Sequence, residues 1–155
     1  MTDPEDPGGD PSTTTIVVDT DAPADPARLE AVAAHALRVL GVPQEAALTV
    51  TLTGMGRIAE LKEQAFGSHE ATDVLSFPID DPFDPAPGPI VLGDIVICVP
   101  VATRQARALG RTVDDEMAHL LVHGILHLLG RDHDTAARER AMAREEQMVL
   151  AGVAA

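Results

Sequence analysis

The chain has no tryptophan, no tyrosine and three phenylalanines among 155 residues, which excludes a platform of interleaved aromatic rings along a nucleic acid. It has one cysteine, so no disulfide can form within it. Cys98 lies in the apolar run Ile95-Val96-Ile97-Cys98-Val99 and reads as a small buried hydrophobe rather than a nucleophile. No apolar stretch reaches membrane-spanning length, and no charged-then-apolar leader opens the chain, so a cytoplasmic protein without membrane contact is expected. Cations are scarce too: 11 Lys and Arg face 25 Asp and Glu, a formal net charge of -14 that at face value disfavours a polyanionic partner.

The position of the charge qualifies its sum. Residues 1–27 hold seven acidic side chains (Asp3, Glu5, Asp6, Asp10, Asp19, Asp21, Asp25) and no Lys or Arg, so half of the imbalance sits at one end. Met1 to Thr13 is rich in Pro, Gly and Asp and buries too little apolar surface to offset ordering entropy; an acidic disordered tail is expected over 1–13, and a single domain over 14–155. All the basic residues but Lys62 are Arg, the side chain better suited to bidentate phosphate contacts.

Within the domain, Thr14 to Val18 is β-branched and reads as a strand, and Asp25-Pro26 opens a helix that Gly41 ends. Leu48 to Thr53 alternates apolar and hydroxyl side chains as a half-buried strand does, and a short helix follows near Arg57 to Ala65. A turn at Ala71 feeds a short strand closed by Pro78. Four prolines in residues 80–89 allow only a loop, expected to be mobile, before the best strand, Ile90 to Val99, where Gly93-Asp94 marks a bulge or a close approach. Helices are expected over Pro100–Gly110, Val113–Leu129 and Thr135 to about Leu150. Strands early and helices late indicate an α+β fold, a small mixed sheet of about four strands packed against helices.

The chemistry concentrates in His123-Gly-Ile-Leu-His127-Leu-Leu-Gly130-Arg-Asp132-His133. Residues four apart share a helix face with Cβ atoms about 5–6 Å apart, so His123 and His127 can offer nitrogens to one ion. Six further residues rotate His133 roughly 240° off that face, so the helix must stop between the second and third histidines. Gly130 supplies the stop, giving a zincin-like metal helix that ends in a glycine turn. Three protein ligands leave a fourth position to water, the arrangement of a catalytic zinc site, one Zn2+ per chain. The spacing matches the metzincin pattern H-E-x-x-H-x-x-G-x-x-H except that Gly124 replaces the glutamate base, which tells against a zinc metallopeptidase, the alternative reading. His119 sits one turn earlier on the same face and reads as a satisfied histidine rather than a fourth ligand. Arg104, Arg107 and Arg111 form a basic stripe on the preceding helix.

Four segments, Thr72-Asp73-Val74-Leu75-Ser76-Phe77-Pro78, Leu92 to Cys98, Leu121 to Gly130, and Asp132-His133, together resemble the YbeY family of metal-dependent single-strand endoribonucleases. The resemblance covers most of the chain. It implies that His123, His127 and His133 bind zinc in a cleft between the metal helix and the sheet. It implies a role in small-subunit ribosomal RNA maturation and ribosome quality control, with ribosomal RNA and the small ribosomal subunit as partners and no DNA. A non-catalytic, metal-bound assembly factor is the further alternative. Where the family often carries an arginine about seven positions before the Thr-Asp-Val segment, this chain has Phe66, which cannot stabilise phosphate charge, and Arg57 lies upstream. The family's Gly-Tyr-Asp-His ending is here Gly130-Arg131-Asp132-His133, and Arg131 is expected to contact RNA phosphate.

With Gly124 in the base position, zinc-bound water itself, Asp132 or a substrate phosphate oxygen is left to handle the proton, or else the ribose 2′-hydroxyl attacks. Asp132 is also a candidate to orient a ligating imidazole.

Overall fold

A computed structural model describes residues 13–43, 45–84 and 87–153. Nearly all of the expected acidic tail, 1–12, lies outside the described residues, as do 85 and 86 of the proline loop. Four strands, β1 (Thr14–Asp19), β2 (Ala47–Thr53), β3 (Val74–Pro78) and β4 (Val91–Cys98), form one sheet in the order β1-β2-β4-β3. β1 and β4 run parallel to β2, and β3 runs antiparallel to β4, so the sheet is mixed and the fold is α+β.

Among the described residues there are five helices: α1 (Pro26–Val39), α2 (Met55–Phe66), α3 (Val99–Leu109), α4 (Val113–Leu128) and α5 (Ala136–Ala151). Local chemistry explains their starts. The Asp25 carboxylate accepts from the N–H of Arg28 ahead of Pro26, the Thr112 hydroxyl from the N–H of Asp115, and the Thr135 hydroxyl from the N–H of Arg138. α2 begins two residues earlier than its sequence pattern suggests, because Gly54 caps it without a side-chain bond and periodicity alone leaves no mark at such a start.

The two faces of the sheet are covered differently. Leu48, Val50, Leu52, Ile95 and Ile97 point into the main core with α1 and α4, whereas Leu75, Val96 and Cys98 point the other way, against Ile58 of α2. This is the period-2 alternation of a strand buried on both sides. α4 is buried along most of its circumference; Leu121, Ile125 and Leu126 are fully enclosed, each contributing about 1.5–3 kcal/mol of burial. Cys98 is fully enclosed as well, and burial pushes its thiol up.

The bulge and the close approach expected near Gly93 both occur there. The β2–β4 register slips between Ala47–Val91 and Leu48–Gly93, and Gly93 has φ +145. A Cβ on that residue would stand 2.2 Å from the carbonyl oxygen of Phe77, so only glycine lets β3 pair here.

Candidate metal centre

α4 ends where the histidine spacing requires. Gly130 adopts φ +90, its N–H bonds to His127 O at 3.0 Å, and the N–H of Arg131 bonds to Leu126 O at 2.9 Å, a glycine-terminated helix stop that turns the chain back. His133 thereby returns to the two helical histidines. The ring centroids of His123 and His127 are 4.7 Å apart, those of His127 and His133 5.0 Å, and those of His123 and His133 5.8 Å. One nitrogen from each of the three rings lies within 4.8 Å of the others, a spacing that can hold a metal ion.

The remaining ring nitrogens show which atoms are free to coordinate. His123 Nδ1 donates to Glu146 Oε2 at 2.5 Å, and His127 Nδ1 donates to Arg131 O at 3.1 Å. The two Nε2 atoms then face each other at 3.1 Å, a distance at which they share a proton or jointly face a metal ion. The donor set therefore fits a divalent cation, with carboxylate and carbonyl partners fixing the tautomers. Burial, reinforced by the neighbouring rings of His123 and His133, lowers the pKa of His127 and keeps it neutral, the form a metal needs.

Glu146 went unrecognised in the sequence. Burial alone would push its carboxyl up, but hydrogen bonds from His119 and His123 outweigh that and hold it at about 2. A pointer was present: Glu146 is the only charged residue on the buried stripe of α5, between Met142 and Val149, and a charge on an apolar stripe needs a partner. His119 proves to be that carboxylate's second partner, 3.0 Å away, and its bond to Glu146 raises its own pKa. The structure does not bring it into the group of three.

The triad opens onto a cleft of about 580 Å³ between α4 and β3, whose walls include Phe66, Asp73, Ser76, Arg131 and Asp132. Asp132 is exposed, and its carboxylate accepts from the backbone N–H of His133 at 3.0 Å, shaping the turn. Arg131 forms a two-pronged pair with Glu145, at 2.9 and 3.1 Å, and that bond raises its pKa. Arg57 faces Glu60 instead and is not part of the cleft wall. None of Arg104, Arg107 and Arg111 lines the wall; Arg111 lies beyond the end of α3 and is engaged by the buried Glu116 at 3.1 Å.

Gly124, the position of the missing base, faces the sheet. A Cβ there would lie 3.0 Å from Ile95 Cγ2 and 3.2 Å from Ser76 Oγ, while its carbonyl oxygen accepts from the Ser76 hydroxyl at 3.1 Å. The glycine thus seats α4 closely against β3 and β4.

Fold and centre together define a class, a small α+β protein whose three-histidine group opens on a cleft as hydrolytic metal sites do. The profile of the family described as Endoribonuclease YbeY matches residues 16–154, and the chain belongs to that family. It is 43% identical over 143 residues to the Endoribonuclease YbeY of Salinispora tropica, covering 86% of this chain and 87% of the relative. The one from Moorella thermoacetica is 45% identical over 119 residues, covering 73% and 76%. The one from Thermobifida fusca is 41% identical over 141 residues, covering 88% and 91%. A Thermotoga maritima protein solved in solution shares the fold, with a TM-score of 0.58 and 24% identity over 89% of each chain.

Proposed function

We propose that this chain is a zinc-dependent endoribonuclease that cuts single-stranded RNA during small-subunit ribosomal RNA maturation and quality control, acting in the cytoplasm with the small ribosomal subunit as its partner. The observation that carries this reading is the convergence of His123, His127 and His133 at the cleft, each helical member anchored through its other ring nitrogen. Family membership supports RNA as the substrate. These three histidines would hold Zn2+, which when bound supplies Lewis-acid polarisation of a phosphoryl oxygen and acidifies water.

The protein's own groups do the rest. Glu146 and the Arg131 carbonyl keep both helical imidazoles oriented by accepting from their Nδ1 atoms, and Asp132 holds the turn that carries His133. Asp132 is also the carboxylate in the cleft wall nearest in sequence to a ligand, and it is proposed to take part in proton handling; loss of cleavage in Asp132→Asn with unchanged metal content checks this. Arg131 is proposed to face a substrate phosphate from its pairing with Glu145. An Arg131→Ala variant is then expected to bind RNA more weakly and with a salt slope smaller by up to about one, whereas unchanged affinity at several salt concentrations contradicts the contact.

Metal-loaded protein incubated with structured ribosomal RNA and with casein separates the readings. RNA cleavage, intact casein and an inert His123→Ala/His127→Ala preparation are expected. Equal cleavage by the double variant defeats the enzymatic reading, casein cleavage favours a peptidase, and RNA binding without cutting favours an assembly factor.

A further inference from the structure

We infer that Phe66 is a stacking subsite for one unpaired nucleobase of the substrate, beside the scissile phosphate; this rests on the reading that the substrate is RNA. α2 ends at Phe66, and the core cluster beneath that helix is closed by Ile58, with Leu61, Phe77 and Val101 packed around it, without Phe66. The Phe66 side chain is instead 59% exposed. It lies on Phe77 with ring centroids 6.0 Å apart and 24° between planes, so one face is supported and the rest of the ring is open. It lines the same cleft as His123, His127 and His133, together with the exposed Pro78.

Charge identifies the occupant. The chain carries -14, and among the described residues the cleft wall holds Asp73 and Asp132 against a single Lys or Arg, Arg131, which Glu145 already engages. The cations of α2 are also paired, Arg57 with Glu60 and Lys62 with Glu70. Beyond the metal ion and Arg131, the described cleft wall therefore offers a phosphate no further cation, and a charge-independent contribution is needed to hold the rest of the strand. A flat, neutral ring with an open face provides it by stacking on a base, which tolerates any base because each has a π-face. In a duplex those faces are covered by neighbouring pairs, so the same contact selects unpaired RNA. Composition excludes a row of such rings, but a single base needs one ring only.

The test uses the full-length, metal-loaded protein and a short single-stranded oligoribonucleotide with 2-aminopurine placed at successive positions. Binding by the unaltered protein is expected to quench the probe strongly at one position. Phe66→Ala is expected to abolish that quenching and weaken binding roughly 5- to 150-fold, raising KM more than it lowers kcat, while Phe66→Tyr restores both. Removing the base at the quenched position is expected to weaken the unaltered protein but not Phe66→Ala, a coupling that a merely structural role of the ring would not produce. Metal content and thermal midpoint should match across the three proteins, since the ring is exposed. Unchanged affinity and quenching in Phe66→Ala, in a protein that otherwise binds and cuts RNA, overturn the subsite alone. Failure of the unaltered protein to bind or cut RNA overturns the substrate reading, and the subsite with it.

Discussion

His127→Ala is expected to lose its metal and reduce RNA cleavage to the level of buffer. His127 occupies the middle of the triad, its ring 4.7 Å from that of His123 and 5.0 Å from that of His133, whereas the outer two are 5.8 Å apart. Without it two donors remain, one of them on an exposed turn. Glu146→Gln is the graded comparison. It keeps shape and volume but replaces a charge-assisted acceptor for both His119 and His123 with a neutral amide, and changes to such supporting partners typically lower metal affinity or activity about 10–100-fold. The His127→Ala loss should exceed that range, while His69→Ala, at an exposed residue paired with Glu63, should leave metal binding unchanged. Titration with Zn2+ followed by calorimetry, alongside an RNA cleavage assay, checks the order. Equal affinity in Glu146→Gln and the unaltered protein would show that the Glu146 contact contributes nothing to the centre.

The second large effect concerns stability. Gly124→Glu, which would restore the metzincin pattern on paper, is expected to destabilise the fold by at least about 3–5 kcal/mol, because it drives an unpaired carboxylate against the fully buried Ile95. Gly124→Ala isolates the steric part. Its Cβ would lie 3.0–3.2 Å from Ile95 and Ser76, tight enough to cost about 1–3 kcal/mol by overpacking, reduced by the roughly 1 kcal/mol that alanine gains over glycine inside a helix. Urea unfolding of the three proteins measures both steps. A Gly124→Glu protein of normal stability that cleaves casein would contradict the packing role of this glycine and revive the peptidase reading.

Local rules carried the sequence reading a long way. The offsets of His123, His127 and His133 with Gly130 between them determine a helix stop and a returning third ring, because helical periodicity and the left-handed tolerance of glycine are properties of the chain itself. The short run closed by Pro78 and the β-branched run from Ile90 to Val99 likewise announced β3 and β4. What stayed hidden depends on distant residues meeting. Glu146 reaches His123 across 23 positions, and nothing local says that α5 lies along α4 at that depth. Arg131 reads as a free cation in sequence and is held by Glu145 only because α5 folds back over the turn. Gly124 reads as a lost base, whereas its role is visible only once Ile95 and Ser76 are packed beneath it. Phe66 reads as a lost arginine until its position on Phe77 is known.

Metal content per chain, determined by elemental analysis of the purified protein after loading with zinc and dialysis, tests the central claim most directly. One ion per chain, absent from His127→Ala, is the predicted result. A chain that retains no ion, or an unchanged stoichiometry in the variant, would contradict the three-histidine centre on which the proposed chemistry stands.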